Sequence, residues 1–147
     1  MCSKDFQTYF KYAHVCKCRD HYKFSNIRIE ASESEKDYHL INMTAAGGET
    51  AISVSFKDKR LYGGKTKYNN ANVKMYLAKK TDNGLIYIKD QNMCIQRDTY
   101  IECGSLEAGE YLIFVSIDWK GNPIPKEDRF FNVTSYGVNE NKFEFIK

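Results

Sequence analysis

The sequence predicts an all-β fold, an antiparallel β-sandwich of roughly eight strands. Short runs in which apolar and polar residues alternate fill most of the chain, and strong turn residues separate them. No window carries the 3.6-residue apolar stripe of a sustained helix. A parallel sheet would need helical crossovers between its strands, so two packed antiparallel sheets are the simpler solution.

The size of the chain fits one domain. It has 147 residues, of which 42% are hydrophobic and 14% aromatic, with only two prolines. A chain of this length can bury one sizeable core, and this composition is unlike that of a disordered linker. We therefore expect residues 1–147 to fold as a single β-sandwich domain.

The strand predictions follow the period-two runs along the chain. The clearest lie at 52–57 and 73–78, where each run has one apolar and one polar face. We expect a strand in each run of this kind, and the runs are 11–18, 25–31, 38–43, 52–57, 73–78, 85–89, 98–103, 110–119, 130–136 and 142–146.

Turn residues stand between these runs. They accept positive φ or preset a turn, and they include Gly47-Gly48, Gly63-Gly64, Asp82-Asn83-Gly84, Ala108-Gly109 and Lys120-Gly121-Asn122-Pro123. The tripeptide at 82–84 lies between two runs, so it predicts the best-defined hairpin of the chain.

The run at 110–119 is apolar at almost every position. Its odd positions, from Tyr111 to Trp119, predict a core-facing set, which leaves Leu112 and Phe114 on the opposite face. Two large apolar side chains in water need a cover. Either the N-terminal segment or the 120–129 loop covers them, or a partner protein binds there. Leu112 and Phe114 are thus the candidate partner-binding residues.

Charge and targeting signals restrict the class of protein. The 22 basic residues nearly balance the 19 acidic ones, which does not predict nucleic-acid binding. The first residues lack a signal peptide, and no window approaches the ~20 apolar residues of a membrane span. We expect a cytoplasmic protein whose five cysteines are reduced thiols.

The histidines and cysteines near the N-terminus suggest no specific chemistry. His14, Cys16, Cys18 and His21 could offer metal ligands, but zinc sites use cysteine pairs at other spacings, so a strand that buries them is the preferred interpretation. The chain also lacks a G-x-S-x-G elbow, a Gly-rich phosphate loop and H-E-x-x-H. We predict no enzyme activity, no catalytic residue and no cofactor.

Two weaker ligand hypotheses concern charged loops. The acidic stretch with Glu30, Glu33, Glu35 and Asp37 could bind calcium through oxygen ligands, although it lacks the spacing of a dedicated calcium loop. Basic residues could instead touch acidic phospholipid headgroups, and they are Lys57, Lys59, Arg60, Lys65 and Lys67. A solvated loop is the alternative interpretation of both.

Several motifs in order along the chain resemble calpain domain III, a C2-like β-sandwich. They are TAISVSFKDKRLY at 50–62, RDTYIE at 97–102, LEAGEY at 106–111, IDW at 117–119 and FNVTSYG at 131–137. The resemblance covers about residues 15–137 and is greatest to calpain-like proteins of ciliated protists. Nothing in the chain resembles the protease domain of calpains.

The resemblance implies a C2-like fold and a binding role. In calpains this module contacts neighbouring domains and sometimes phospholipid, with an acidic loop that responds to calcium. It therefore implies a non-catalytic protein-binding or scaffolding module, with other proteins of a cytoskeletal or ciliary assembly as its partners. Peripheral phospholipid binding and a regulatory subunit of a calpain-like protease are the two alternatives.

Overall fold

A computed structural model describes residues 19–32, 34–57, 71–93, 97–122 and 124–146. Within these residues the chain forms nine strands and one turn of 3-10 helix at Lys126–Asp128. The strands are β1 (Lys23–Glu30), β2 (Lys36–Ala45), β3 (Gly48–Phe56), β4 (Asn72–Thr81), β5 (Gly84–Met93), β6 (Asp98–Leu106), β7 (Gly109–Asp118), β8 (Phe130–Gly137) and β9 (Lys142–Ile146). The run predicted at 11–18 lies outside the described residues. No helix in the described ranges is long and apolar enough to cross a membrane.

The strands form two antiparallel sheets, in the orders β1-β8-β3-β6 and β5-β4-β7-β2-β9. Four pairings are nested inside one another along the chain: β1 with β8, β2 with β7, β3 with β6, and β4 with β5. A long hairpin rolled up in this way is a jelly roll. The ninth strand adds an edge beside β2. The predicted antiparallel β-sandwich is confirmed.

The alternation in the sequence sets which side chains reach the core. Alternate apolar positions are buried, and they are 52, 54 and 56 on β3, 73, 75 and 77 on β4, and 111, 113, 115 and 117 on β7. The residues between them are exposed or half-buried. The core is apolar and joins both sheets. Its largest fully buried side chains are Trp119, Tyr111, Phe131, Ile41 and Met43.

The predicted hairpin at 82–84 is present between β4 and β5. Thr81 and Gly84 pair across it, leaving a two-residue loop of Asp82 and Asn83. The Thr81 hydroxyl donates to the carbonyl of Gly84 at 2.9 Å, and Gly84 has a φ of 119°, which favours glycine.

Trp119 anchors one end of the sandwich. Its side chain is buried, and its indole N–H donates to the Asp37 carboxylate at 2.7 Å. The edge of Phe56 lies against the indole, with the ring centroids 5.4 Å apart. The buried Arg129, which follows the 3-10 turn, places its guanidinium 5.5 Å from the indole centroid. The end of the 120–129 loop therefore contacts Trp119.

Candidate functional site: the outer surface of the five-stranded sheet

An apolar row crosses the outer face of the five-stranded sheet. Strand register places Ile146, Leu40, Phe114 and Tyr76 side by side on β9, β2, β7 and β4, and paired residues share one face of a sheet. Leu40, Tyr76 and Ile146 are exposed, and Phe114 is half-buried. We call these four residues the outer row. It is unusual for a solvated sheet face, where polar residues are expected.

Two tyrosines partly cover Phe114. The Tyr38 ring stacks on it with a centroid distance of 6.1 Å and an interplanar angle of 21°, and the tilted Tyr76 ring lies at 5.9 Å. Both tyrosines belong to the same sheet face and remain exposed. The cover therefore comes from an aromatic cluster that itself faces solvent.

The edge strand β5 carries the most exposed apolar segment among the described residues. Leu85, Ile86, Tyr87 and Ile88 are 58%, 54%, 62% and 37% exposed, so the segment presents apolar side chains on both faces. β5 is the last strand of its sheet, and the described residues pair it with β4 alone. Ala78 pairs with Tyr87 and Leu77 pairs with Lys89, which leaves Ile88 as the extra residue of a bulge.

Leu112 connects the outer row to the edge strand. It is half-buried on β7, next to Phe114 on the same face. Register places Leu112 beside Ala78, and Ala78 beside Tyr87 of β5. The outer row, Leu112, Tyr38, Leu85 and Tyr87 thus form one continuous apolar area on this face, which we call the outer surface. Ile86 projects from the other face of β5, because its partner Lys79 pairs in turn with the buried Tyr111. The predicted partner-binding residues, Leu112 and Phe114, both lie within it.

Charged side chains border the outer surface. Lys80 and Glu110 form an exposed ion pair at 3.8 Å at one end of it. The Tyr87 hydroxyl donates to the Asp90 carboxylate, a hydrogen bond that raises the pKa of Tyr87 above its usual value. An apolar and aromatic centre with a polar rim is the usual anatomy of a protein interface.

The thiol of Cys103 and the buried imidazole of His39 do not have the protonation behaviour of a nucleophile or a general base. Burial raises the pKa of the half-buried Cys103 thiol to about 11, so the thiolate is scarce at neutral pH. His39 packs against Phe131 and Phe145, with ring centroids 5.0 and 5.9 Å away, and burial lowers its pKa. Its Nε2 atom is buried without a hydrogen-bond partner among the described residues.

The three described candidates for calcium binding, Glu30, Glu35 and Asp37, do not form a group that could hold a metal ion. Both carboxylate oxygens of Asp37 accept hydrogen bonds, one from Trp119 and the other from the backbone and hydroxyl of Ser32. Glu30 pairs with Arg28 at 2.8 Å, and Glu35 is exposed. Glu33 lies outside the described residues. In the described part of the chain, no three His, Cys, Asp or Glu residues are placed to hold a metal ion.

Most of the basic candidates for lipid binding are also outside the described residues. Lys57 directly follows β3 and is half-buried. Nothing is described for the other four, which are Lys59, Arg60, Lys65 and Lys67. Of the histidine and cysteine cluster only His21 is described. It is exposed and lies edge-on to the Tyr22 ring at 5.3 Å.

Sequence reasoning missed the edge segment Leu85–Ile88 as a functional surface. Four apolar residues in succession usually indicate a strand buried on both faces, and this run predicted a strand without indicating where it would lie. The same apolar run at a sheet edge remains exposed. One signal for an edge position was available: the run directly follows the best-predicted hairpin, and a hairpin often forms the edge of a sheet.

Comparisons with known proteins identify no family. No protein-family model matches the chain, and no curated protein matches it. The chain is similar to a protein of Sulfurospirillum deleyianum whose crystal structure is known, with 15% identity over 79% of this chain and 89% of that chain. The TM-score of that comparison is 0.30, so it carries no argument about fold or function.

Proposed function

We propose that this protein is a non-catalytic protein-binding module, and that its partner docks on the outer surface of the five-stranded sheet. One observation carries the proposal: Leu85–Ile88 exposes four consecutive large apolar side chains on an edge strand. Edge strands in soluble proteins are normally protected by charge, proline or a covering element. An apolar edge of this kind suits an interface.

Strand addition is the binding mode that fits β5 best. An edge strand has a row of backbone N–H and C=O groups available to a further strand, and its alternating side chains provide contacts on both faces. The partner in this mode is a protein with an extended apolar segment. The bulge at Ile88 interrupts regular pairing, so we place the added strand along Gly84–Tyr87.

The outer row extends the same interface across the sheet. Tyrosine and phenylalanine are enriched at the centres of protein interfaces because they bury a large area at little entropic cost. Tyr38, Tyr76 and Phe114 already form an aromatic cluster. If a strand of the partner pairs with β5, the adjacent segments of the partner would lie on Tyr87 and Leu112 and extend toward this cluster.

Two further considerations support a binding role over a catalytic one. The described thiol and the buried imidazole, Cys103 and His39, have pKa values shifted away from reactive forms. The resemblance to calpain domain III agrees with a module that is held between larger neighbours. We propose a cytoskeletal or ciliary assembly as the setting, in which this small sandwich acts as a scaffold part.

The test compares two charge substitutions on opposite sheets of the full chain. Tagged wild-type, Ile86→Lys and Phe24→Lys proteins are expressed in the source cells and crosslinked before purification. Ile86 and Phe24 are 54% and 70% exposed, so neither substitution buries a charge. We expect crosslinked peptides from β5 to a defined partner in the wild type, retained by Phe24→Lys and reduced at least about tenfold by Ile86→Lys.

Two outcomes would contradict the proposal. Equal recovery of the partner by both variants would place the contact away from β5. Recovery of all three proteins with membranes at low salt, and release at moderate salt, would favour the phospholipid alternative. Both variants must show wild-type cooperative unfolding for the comparison to stand.

A further inference from the structure

The outer face of the four-stranded sheet contains a trough with a volume of about 710 Å³. Its floor consists of small side chains on β3, namely Ala51, Ser53 and Ser55. Aromatic side chains stand on both sides of this floor. A site of this size falls within the usual range for small-molecule ligands.

Strand register fixes where the aromatic walls stand. Tyr136 on β8 pairs with Ala51, and Tyr100 on β6 pairs with Ser53. The two tyrosines therefore lie on opposite sides of β3, two strand spacings or roughly 9–10 Å apart across the sheet and offset by two residues along it. Phe24 continues the wall beyond Tyr136. A ligand one ring wide can lie along β3 between the two walls.

Paired charges close both ends of the trough. At the start of β3, the Arg19 guanidinium makes two bonds of 3.0 Å to the two oxygens of Glu49. At the far end, Asp98 pairs with Ser55 across the strands and accepts bonds of 2.6 Å from Arg97. Each end thus offers hydrogen-bond donors and acceptors with little net charge.

The floor of the trough carries two hydroxyl groups that are available to hydrogen-bond a ligand. Ser53 and Ser55 are half-buried, and neither hydroxyl makes a hydrogen bond within the described part of the chain. The backbone of β3 is paired on both sides, with β6 and β8. A ligand here would meet side chains only, and this excludes the addition of another strand.

The balance of charges argues against an anionic ligand. The lining has two arginines and three acidic residues, and Arg19 and Arg97 each pair with one of the acids. Phosphate groups and acidic lipids are bound by excess positive charge, which is missing from this lining. The aromatic walls, the serine hydroxyls and the paired charges suit a neutral ligand with an apolar face for the rings and hydroxyl groups for the polar ends.

We propose that this trough binds a neutral oligosaccharide a few sugar units long. The C–H faces of the sugar rings would pack on Tyr100 and Tyr136. The sugar hydroxyls, each both a donor and an acceptor, would bond Ser53, Ser55 and the arginine–acid pairs. This site lies on the opposite sheet from the proposed protein interface and does not depend on it.

The experiment is a titration of the full-length protein with neutral hexasaccharides of glucose, N-acetylglucosamine, mannose and xylose, followed by calorimetry. We expect saturable binding of at least one of the four. Tyr100→Ala and Tyr136→Ala should each weaken it by about tenfold or more, since each removes one stacking surface. Tyr38→Ala is the matched control, because Tyr38 is 63% exposed on the other sheet and Tyr100 is 56% exposed. It should leave the affinity unchanged.

Three results would overturn the proposal. The first is no binding of any of the four sugars at millimolar concentration. The second is binding that the Tyr100 and Tyr136 variants retain in full. The third is tighter binding of a proline-rich decapeptide to the same tyrosines, which would make the trough a peptide site. Ile86→Lys should leave sugar binding intact, so failure here is distinct from failure of the proposed protein interface.

Discussion

The indole N–H of Trp119 donates to the carboxylate of Asp37 at 2.7 Å, across 82 residues of sequence. The bond joins the residue that follows β7 to the beginning of β2, because the antiparallel β2 begins beside the point where β7 ends. The backbone N–H of Trp119 also donates to the carbonyl of Glu35 at 2.7 Å. Asp37 is 2% exposed, so its carboxylate depends on the indole of Trp119 and on Ser32 for its hydrogen bonds.

Substitution of either member of this pair should strongly destabilise the protein. We expect Trp119→Ala to lower the free energy of unfolding by about 3–5 kcal/mol, because it leaves a large cavity. Asp37→Ala should cost about 1–3 kcal/mol, because it leaves the indole N–H and the Ser32 groups unsatisfied. Urea denaturation followed by circular dichroism measures both.

A double-mutant cycle separates the hydrogen bond from the packing. Trp119→Phe keeps an aromatic ring but lacks the donor, so its effect and that of Asp37→Ala should be less than additive. Glu30→Ala, an exposed carboxylate near the same end, is the control and should change stability by less than about 0.5 kcal/mol. Fully additive losses would mean that the indole–carboxylate bond contributes nothing.

Stability should fall as the pH drops below the usual histidine range. Burial lowers the pKa of His39 in the folded state below its ordinary 6.5, although the nearby Asp37 carboxylate opposes this shift. Below pH 6.5 the unfolded chain therefore binds a proton that the folded protein does not, and the free energy of unfolding decreases with falling pH. Urea denaturation between pH 5 and 8 measures the slope.

Two variants assign this slope to His39. His39→Leu should remove its contribution, whereas His21→Gln, at an exposed position, should leave the slope as in the wild type. A folded His39→Leu protein with an unchanged slope between pH 5 and 6.5 would assign the effect to other groups.

A side chain at Gly137 should separate two paired strands. A Cβ atom built there would lie 2.8 Å from the backbone carbonyl oxygen of Glu49, and backbone cannot move aside as a flexible side chain can. We expect Gly137→Ala to lower the midpoint of urea unfolding and to cost about 1–3 kcal/mol. Ser105→Ala, on the exposed part of β6, is the control. A Gly137→Ala protein as stable as the wild type would show that β3 and β8 can separate without loss.

The Cys103 thiol should react slowly in the folded protein. Its pKa of about 11 and its half-buried position leave little accessible thiolate at pH 7.5. We expect iodoacetamide labelling of the Cys103 peptide to accelerate by at least about tenfold in unfolding concentrations of urea, as followed by peptide-resolved mass spectrometry. Equal labelling rates with and without urea would mean that the thiol is exposed and ionised in the folded state.

The order of residues along the chain is enough to predict the strands and their buried faces. Successive side chains of a strand point to opposite faces of the sheet, and one face of each strand lies on the core. This explains the alternation at 52–57 and 73–78 and the core-facing set at 110–119. The turn at 82–84 followed from residues that tolerate positive φ. These are local properties, and a short stretch of sequence contains them in full.

The choice of neighbouring strands could not be predicted from local patterns and is known from the three-dimensional fold alone. Lys23 of β1 pairs with Gly137 of β8, nearly the length of the chain away, and β9 forms the edge beside β2. These pairings depend on how all the strands pack together around one core, and no local sequence pattern contains that information. For the same reason the run Leu85–Ile88 could not be assigned to an exposed edge, since the same residues suit a central strand equally well. Likewise, the trough required β6 and β8 to be placed on either side of β3, which brings Tyr100 and Tyr136 to one face from distant parts of the chain.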